Sequence, residues 1–352
     1  MATKGFFAQS LVAAAAMALV WCVAPGHAHA AKDTPFGAEL SAPNFPNSSA
    51  QDTYNALQLS AQIGGHSCIT WHWSEAEKLQ AIVALPPAMR QFGLKVVVQM
   101  ATTFLGNPAP PVQLPASFAS AETKARFLQN VVTIAFQKPD YFVITTEVNL
   151  MHRFNHAEFE NFLPLYRQAY SLVKLYSPKT KVGVSYLYKL WVGNYFADHV
   201  DVPSLVTPYD FIAFTSYPED LVREGHYASI ADIPAQWYGL ARLAYPDKTI
   251  IFPEVGWASK GYGTPEVQAE FVRNLPRLMS TTRPELVTWA MLYDVEFFSR
   301  SLLTPSTVEF LTNLGIDIDT MFLHFNGMGL LDGTGNPKPA LDDARNLNFT
   351  TP

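Results

Sequence analysis

Two glutamates directly follow apolar runs, at positions where a carboxyl group would leave a buried strand and reach an open surface. The first segment reads Tyr141-Phe-Val-Ile-Thr-Thr-Glu147, and the second reads Ile250-Ile-Phe-Pro-Glu254. Two carboxyl groups that flank one bond can divide the chemistry, since one protonates the leaving oxygen while the other attacks from the opposite face. We therefore take Glu147 and Glu254 as the candidate catalytic pair, one as acid/base and the other as nucleophile.

The elements that must position these carboxyls are strands in a regular alternation. Short apolar or β-branched runs alternate with longer amphipathic segments, which is typical of βα units around a parallel sheet. Eight such units in one domain favour a closed α/β fold, the (β/α)₈ TIM barrel, over an open doubly wound sheet. The predicted strands are Phe36–Leu40, Ser67–Trp71, Lys95–Met100, Phe142–Thr146, Val182–Tyr186, Phe211–Ser216, Thr249–Pro253 and Leu286–Leu292.

In such a barrel the C-terminal ends of the strands and the loops after them form the functional face. Glu147 would lie after strand 4 and Glu254 after strand 7, so both would face one mouth. Long loops follow strands 3, 5, 6 and 8, and their length predicts the walls of a groove. Four further acidic residues lie near predicted strand ends, where solvated charge is the default and a substrate or supporting role the alternative: Glu39, Glu219, Asp294 and Glu296.

Several motifs, in the same order, resemble a clan of (β/α)₈ retaining glycosidases, and specifically its endo-β-1,3-glucanase and endo-β-1,4-galactanase families. Glu254-Val-Gly-Trp-Ala-Ser is similar to their nucleophile segment, and Phe211-Ile-Ala-Phe-Thr-Ser-Tyr217-Pro to their sixth strand. The segment 329–341 resembles their closing segment. The resemblance runs from about Phe36 to Leu341. It implies a retaining glycoside hydrolase for β-linked saccharides in which Glu147, after strand 4, is the acid/base, Glu254, after strand 7, is the nucleophile, and Tyr217 hydrogen-bonds the nucleophile. Internal cleavage is the expectation, while the sequence leaves the sugar, the linkage and terminal cleavage open.

The sequence departs from this clan at one position. The clan places Asn immediately before the acid/base, where it binds the sugar 2-hydroxyl, whereas this chain has Thr146 there and Asn149 two residues after Glu147. We keep Thr146 and Asn149 as candidate substrate-binding residues. The change also keeps open a different function, a carbohydrate-binding barrel that has lost turnover.

Tryptophans near predicted strand ends are candidate stacking surfaces, because the flat C–H face of a sugar packs well on an indole ring. Trp257 and Trp289 are the first candidates, and Trp71 and Trp191 follow them. Packing in the core is the alternative for each.

A metal hydrolase is the rival enzyme class, suggested by His152 and His156 at a spacing that can bind zinc on one helix face. Asn155 reads as a helix cap, which places His152 before the helix, and the Glu of an H-E-x-x-H site is missing. We therefore expect no metal and no cofactor.

Residues 1–30 read as a signal peptide, with Lys4 in a short basic start, an apolar run, and Ala28-His-Ala30 as the cleavage site. The mature chain would start near Ala31 as one catalytic domain, 31–352, in a secreted or periplasmic protein. A retained membrane anchor and lipid attachment at Cys22 are the alternatives.

Removing Lys4, the charged residue of that segment, takes the net charge from −6 to −7. A mildly acidic chain with no basic stripe predicts no nucleic-acid partner. With one cysteine left after cleavage, Cys68, no internal disulfide is expected, and we interpret this thiol as a packed strand residue. We expect a monomer that binds carbohydrate and has no stable membrane association after cleavage.

Overall fold

The structure of the protein is a computed structural model that describes residues 31–295, 299–300, 305–313, 315 and 317–349. Eight parallel strands form its centre, and the fifth consists of two short segments. The strands are β1 (Phe36–Glu39), β2 (His66–His72), β3 (Lys95–Ala101), β4 (Tyr141–Val143), β5 (Lys181–Gly183 and Ser185–Leu187), β6 (Ile212–Ser216), β7 (Ile250–Val255) and β8 (Leu286–Trp289).

The strands follow one another around a closed ring. β1 pairs with both β2 and β8, and the two segments of β5 pair with β4 on one side and β6 on the other. The (β/α)₈ barrel prediction is confirmed, and each predicted strand is present. β4 ends at Val143 instead of Thr146, and β8 ends at Trp289 instead of Leu292.

Helices surround the barrel and also occupy several of the loops at its mouth. In chain order they are α1 (Ala50–Ile63), α2 (Leu79–Gln91), α3 (Ala121–Ala135), α4 (Val148–Phe154), α5 (His156–Tyr176), α6 (Tyr188–Val192), α7 (Val202–Leu205), α8 (Glu219–Arg223), α9 (Gln236–Ala244), α10 (Pro265–Met279), α11 (Pro305–Asn313), α12 (Ile318–Asn326) and α13 (Pro339–Arg345).

The apolar side chains separate into a barrel interior and a larger layer between strands and helices. The interior set is small and comes from alternate strand positions, because successive strand residues point to opposite faces. Its buried members are Cys68, Val97, Tyr141, Val143, Phe211, Ala213, Ile251 and Leu286. Cys68 is thus the packed strand residue that the sequence predicts.

One glycine is required for the packing at the lower end of the interior. The His66 ring lies against Gly37 so closely that a Cβ there would come within 2.7 Å of ring carbons. His66 Nε2 lies 2.8 Å from Thr288 Oγ1, which connects β2 to β8 across β1. The barrel is therefore filled with side chains below its mouth.

Residues 1–30, with the predicted signal peptide and Cys22, lie outside the described residues, as does Glu296. Across the described part of the chain, none of the helices combines the length and the apolar character needed to span a membrane.

Candidate active site

Glu147 stands at the barrel mouth, four residues beyond the end of β4, and begins helix α4. Its backbone is left-handed, with φ 52° and ψ 46°, a conformation that costs a non-glycine residue energy and is often found at functional sites. Its amide donates to Ser185 Oγ of β5 at 3.1 Å, and Thr215 Oγ1 of β6 donates to its carboxylate at 2.7 Å. The neighbouring strands thus hold both the backbone and the side chain of Glu147.

Glu254 lies within β7 and faces the same mouth because of a β-bulge. Ile251 pairs with Ala213 and Glu254 with Thr215, so three steps along β7 match two along β6. Since Ile251 belongs to the interior, regular alternation would turn Glu254 outward, and the extra residue reverses this. Its carboxylate accepts hydrogen bonds from the Tyr217 hydroxyl and the Gln99 side chain.

A third carboxyl group completes the cluster. Glu39, the last residue of β1, is half-buried and accepts a hydrogen bond from the Thr70 hydroxyl. Gln99 Nε2 donates to Thr70 Oγ1 at 3.3 Å, so Thr70 and Gln99 connect Glu39 to Glu254. The structure therefore brings together three carboxyls at the mouth.

Burial is the largest cause of the acidity shifts in this cluster, since a charge is less stable away from water. It raises the pKa of Glu147, while the Thr215 hydroxyl lowers it. Burial raises the pKa of Glu39 to about 7. The pKa of Glu254 is raised by burial and by the charges of Glu39 and Glu147, and is lowered by hydrogen bonds from Tyr217 and Gln99.

These shifts mean that the three carboxyls do not all ionise together at neutral pH. The distribution of hydrogen-bond donors indicates where the charge is best accommodated, because donors stabilise a carboxylate and not a carboxylic acid. Glu254 receives two donors and Glu147 one. The pKa of Glu254 nevertheless stays well above its usual value, because burial and the neighbouring carboxylates outweigh its two donors.

The Tyr217 hydroxyl forms a hydrogen bond with the Glu254 carboxyl. Burial and the charges of Glu254, Glu147 and Glu39 raise the pKa of Tyr217 well above the usual value, so it donates as a neutral phenol. Thr146 is half-buried beside Glu147. The prediction that Asn149 binds substrate is corrected, because its side chain is fully buried. It exchanges 2.9 Å hydrogen bonds with the Leu187 backbone, and these bonds tie α4 to β5.

The proposed stacking role of the four tryptophans is also corrected. Trp71, Trp191, Trp257 and Trp289 are each 3% exposed or less, so no ring face is available for a sugar. Three of their indole N–H groups donate inside the protein: Trp71 to Glu75 O, Trp191 to the Tyr245 hydroxyl and Trp289 to Met328 O. Trp71 and Trp289 follow interior-facing Thr70 and Thr288, so alternation points their rings toward the helices.

Two other acidic candidates have structural partners. Asp294 accepts from Lys338 Nζ at 2.5 Å and forms an ion pair with Lys260 at 2.9 Å, which fixes the closing segment near β8. Glu219 accepts from the Ala258 amide at 2.9 Å and lies 3.3 Å from His324 Nε2. Both are buried, and the partners named here lie outside the three-carboxyl cluster.

The sequence reasoning did not identify Gln99, Thr70 and Thr215, although strand alternation could have found them. Each lies two residues after an interior apolar residue: Val97, Cys68 and Ala213 respectively.

His152 and His156 do not lie on one continuous helix, as the predicted two-histidine metal site would need. A break at Asn155 separates the helices that carry them. Among the described residues no group of three or more His, Cys, Asp or Glu side chains could hold a metal ion.

Known proteins resemble this chain in structure and not in sequence. No protein-family model and no curated protein sequence matches it. A GH5_18 protein from Streptomyces cattleya, solved in complex with Manβ1-4GlcNAc, has a TM-score of 0.65 and 17% identity, covering 91% of this chain and 82% of its own. A GH5_18 protein from Bifidobacterium longum, with the same disaccharide, has a TM-score of 0.64 and 16% identity, with coverages of 89% and 77%.

A structure of fungal β-1,4-galactanases has a TM-score of 0.57 and 14% identity, and the match covers 89% of this chain and 99% of that one. At identities this low, the comparisons establish the shared barrel fold. The resemblance at the level of the clan is confirmed, since these similar structures are (β/α)₈ glycoside hydrolases.

Proposed function

We propose that the protein is a glycoside hydrolase that cleaves β-linked saccharides with retention of configuration. One observation carries the proposal: β6 supplies a hydroxyl to each of two mouth carboxyls, Thr215 to Glu147 and Tyr217 to Glu254. Thr215 and Tyr217 are two residues apart and therefore face the same side. The two carboxyls reach the same mouth, Glu147 from the loop after β4 and Glu254 from β7, which is where catalytic groups of a barrel lie and where a glycosidic bond can be flanked.

In the proposed mechanism Glu254 acts as the ionised nucleophile and Glu147 as the protonated acid, and the reaction takes two steps. In the first, Glu147 gives its proton to the glycosidic oxygen while the Glu254 carboxylate attacks the anomeric carbon, and the bond to the leaving sugar breaks. Glu147 is then ionised and Glu254 is an ester. In the second step Glu147 takes a proton from water, whose oxygen displaces Glu254 and regenerates both groups. The Tyr217 hydroxyl keeps Glu254 oriented throughout.

The first experiment is hydrolysis of p-nitrophenyl β-mannoside, β-galactoside and β-glucoside by the purified protein, with and without a metal chelator. Release of phenol that the chelator leaves unchanged is expected. Saturable binding of these glycosides without any release would instead favour the carbohydrate-binding barrel, and Thr146 in the place of the clan's Asn is the feature that would explain it. Release that the chelator abolishes would favour metal catalysis.

The mechanism has its own test. Double displacement inverts the anomeric carbon twice, so proton NMR of the first-formed sugar should show the configuration of the substrate. We predict a separation of about 5–5.5 Å between the carboxyls of Glu147 and Glu254, which leaves no room for an intervening water. An inverted first product, or a separation of about 6.5–9.5 Å in an experimental structure, would assign a single displacement instead.

Export is part of this proposal. The sequence of residues 1–30 favours a cleaved signal peptide, which would carry the enzyme out of the cytoplasm. Sequencing of the N-terminus of the secreted protein should give a start near Ala31.

A further inference from the structure

A recess lies between helix α4 and the segment that begins at the end of β5. Its volume is about 360 Å³, which is within the range of small-ligand sites in proteins. Leu187 and Leu190 give it an apolar surface, and Arg153, Asn194 and Asp198 are polar residues in its walls. A few polar groups around an apolar surface are typical of a site that binds a small molecule.

The recess adjoins Glu147, although none of the three clustered carboxyls lines it. The backbone of Leu187 exchanges hydrogen bonds with Asn149, which is two residues after Glu147. Arg153 is six residues after Glu147, near the other end of α4. At about 1.5 Å per residue this is about 9 Å along the helix axis. A chain that extends from Glu147 along α4 therefore reaches the recess.

A buried amide in the wall of the recess has no partner. The Asn194 side chain is 4% exposed, and its Nδ2 forms no hydrogen bond within the described part of the chain. Its backbone carbonyl accepts the Val200 amide at 2.8 Å, which holds the residue in the helical turn Gly193–Ala197. A buried donor without a partner destabilises a protein, and an acceptor on a bound molecule would remove that cost.

The charges around the recess favour a neutral ligand. Arg153 and Asp198 are exposed, and neither side chain forms a hydrogen bond or ion pair with another described residue. Lys189 differs, because its ammonium pairs with Glu224 at 2.7 Å and Asp220 at 3.7 Å. With Lys189 neutralised by these partners, the charges of Arg153 and Asp198 balance. A polar molecule without a net charge therefore fits better than an anion.

We infer that this recess binds a neutral sugar unit of the β-linked chain whose glycosidic bond lies between Glu147 and Glu254. The inference rests on the proposed function and adds a second binding site for the same substrate. A sugar ring presents apolar C–H groups to the two leucines. Its hydroxyl groups, each a donor and an acceptor, are complementary to the amide, the guanidinium and the carboxylate.

The test uses β-1,3- and β-1,4-linked tetrasaccharides of the sugar whose p-nitrophenyl glycoside is hydrolysed. A tetrasaccharide can occupy the mouth and the recess together, whereas a glycoside of one sugar cannot. In Arg153→Ala and in Asp198→Ala, we expect kcat/KM for the tetrasaccharide to fall about tenfold relative to kcat/KM for the glycoside. Arg126→Ala and Asp247→Ala, at exposed positions outside the recess, are the matched controls and should keep the wild-type ratio.

Asn194→Leu separates a binding role from a structural one. Leucine has a similar size and removes the unpartnered donor, so the free energy of unfolding should not fall. In the inactive Glu254→Ala background, calorimetric titration with the tetrasaccharide should show about tenfold weaker binding. Asn130→Leu is the matched control, because Asn130 on α3 is also buried and its Nδ2 also lacks a partner among the described residues. Lower stability with unchanged binding in Asn194→Leu would make the amide structural and overturn its role.

The outcomes separate the inference from the function beneath it. Hydrolysis with the wild-type ratio in Arg153→Ala and Asp198→Ala would overturn the sugar site and leave the hydrolase intact. Displacement of the tetrasaccharide by sodium sulfate, but not by sodium chloride of equal ionic strength, would identify an anion site and overturn the neutral ligand.

If the wild-type protein cleaves none of the glycosides, the proposed function fails. Calorimetry with tetrasaccharides of mannose, galactose and glucose then tests the recess by itself. Binding that Asn194→Leu weakens and Asn130→Leu does not would support the sugar site, and equal binding by both variants and the wild-type protein would overturn it.

Discussion

The hydroxyl of Thr215 reaches Glu147 across strand β5, with 2.7 Å between Oγ1 and the carboxylate oxygen. A donor at this distance stabilises the ionised form of Glu147 and so opposes the effect of burial on its pKa. An acid that must give up its proton in one step and accept one in the next benefits from such a balance. The acidity of Glu147 therefore depends on a residue two strands away.

Thr215→Val should raise the pKa of Glu147, because it removes the donor and keeps the shape. The acid must be protonated, so activity is lost as pH rises through its pKa, and the alkaline limb of kcat/KM should move to higher pH. The shift should be about one unit or more, since hydrogen bonds to charged groups contribute about 1.5–3 kcal/mol. Thr133→Val, on outer helix α3, is the control. An alkaline limb that stays in place would remove the acid role from Glu147.

Glu254→Ala should abolish turnover while the protein remains folded, because a half-buried nucleophile contributes to the covalent step and little to the core. The rate should fall by far more than tenfold, a loss well above about 1.4 kcal/mol. Circular dichroism checks the fold, and Glu122→Ala on the exposed face of α3 is the control. Retention of more than about a tenth of the wild-type rate would show that another residue is the nucleophile.

Tyr217→Phe should lower kcat with little change in KM, since its hydroxyl acts on Glu254 and not on the resting substrate. Loss of the donor also raises the pKa of Glu254, so the acidic limb should move to higher pH. Steady-state kinetics across the pH range measure both effects. Tyr176→Phe, at an exposed position on α5, should change neither. A change in KM alone would make Tyr217 a substrate-binding residue.

A feature of this site could be predicted from the sequence where the residues that determine it are close together in the chain. Apolar runs identify all eight strands, and the residue after a run identifies Glu254, because both features lie within a few residues. The bulge that turns Glu254 inward is not readable, since it is defined by pairing with β6. Regular alternation would have predicted the wrong face for this residue.

The tryptophans show a different error. Proximity to a strand end suggests the mouth, yet Trp289 follows interior-facing Thr288 and so points to the helix layer, where it packs near Phe271. The alternation of side chains along a strand, with its period of two, was readable in the sequence and gives the direction of the Trp289 ring. The contact of Leu105 with α12 could not be predicted, because it joins distant loops and leaves no periodic pattern.

Glu39→Gln should move the acidic limb of kcat/KM to lower pH. Glu39 raises the pKa of Glu254 by its charge, so a neutral side chain lowers that pKa, and the nucleophile remains ionised in more acidic solution. Glu147, Tyr217 and Cys68 remain as the other titratable neighbours. Glu160→Gln, exposed on α5, should leave the profile unchanged. A limb that moves to higher pH would mean that Glu39 supports the charge on Glu254 in another way.

Glu219→Gln should make the free energy of unfolding less dependent on pH between about 4.5 and 8. Burial raises the pKa of Glu219 from 4.5 to about 8 in the folded protein, while in the unfolded chain it ionises near its ordinary value. The folded state thus binds the extra proton across this window, and stability falls as pH rises through it. At about 1.4 kcal/mol per pKa unit, the loss above pH 8 amounts to several kcal/mol.

Glutamine removes this loss and can still accept the Ala258 amide, so chemical denaturation from pH 5 to 9 should show a flatter curve for the variant. Burial lowers the pKa of the neighbouring His324 to about 4, so a charged histidine does not offset the carboxylate as pH rises. The control variant Glu122→Gln, at an exposed position on α3, should show the same dependence of stability on pH as the wild-type protein. If Glu219→Gln and the wild-type protein give parallel curves, Glu219 ionises near its ordinary pKa in the folded protein, and burial does not control its charge.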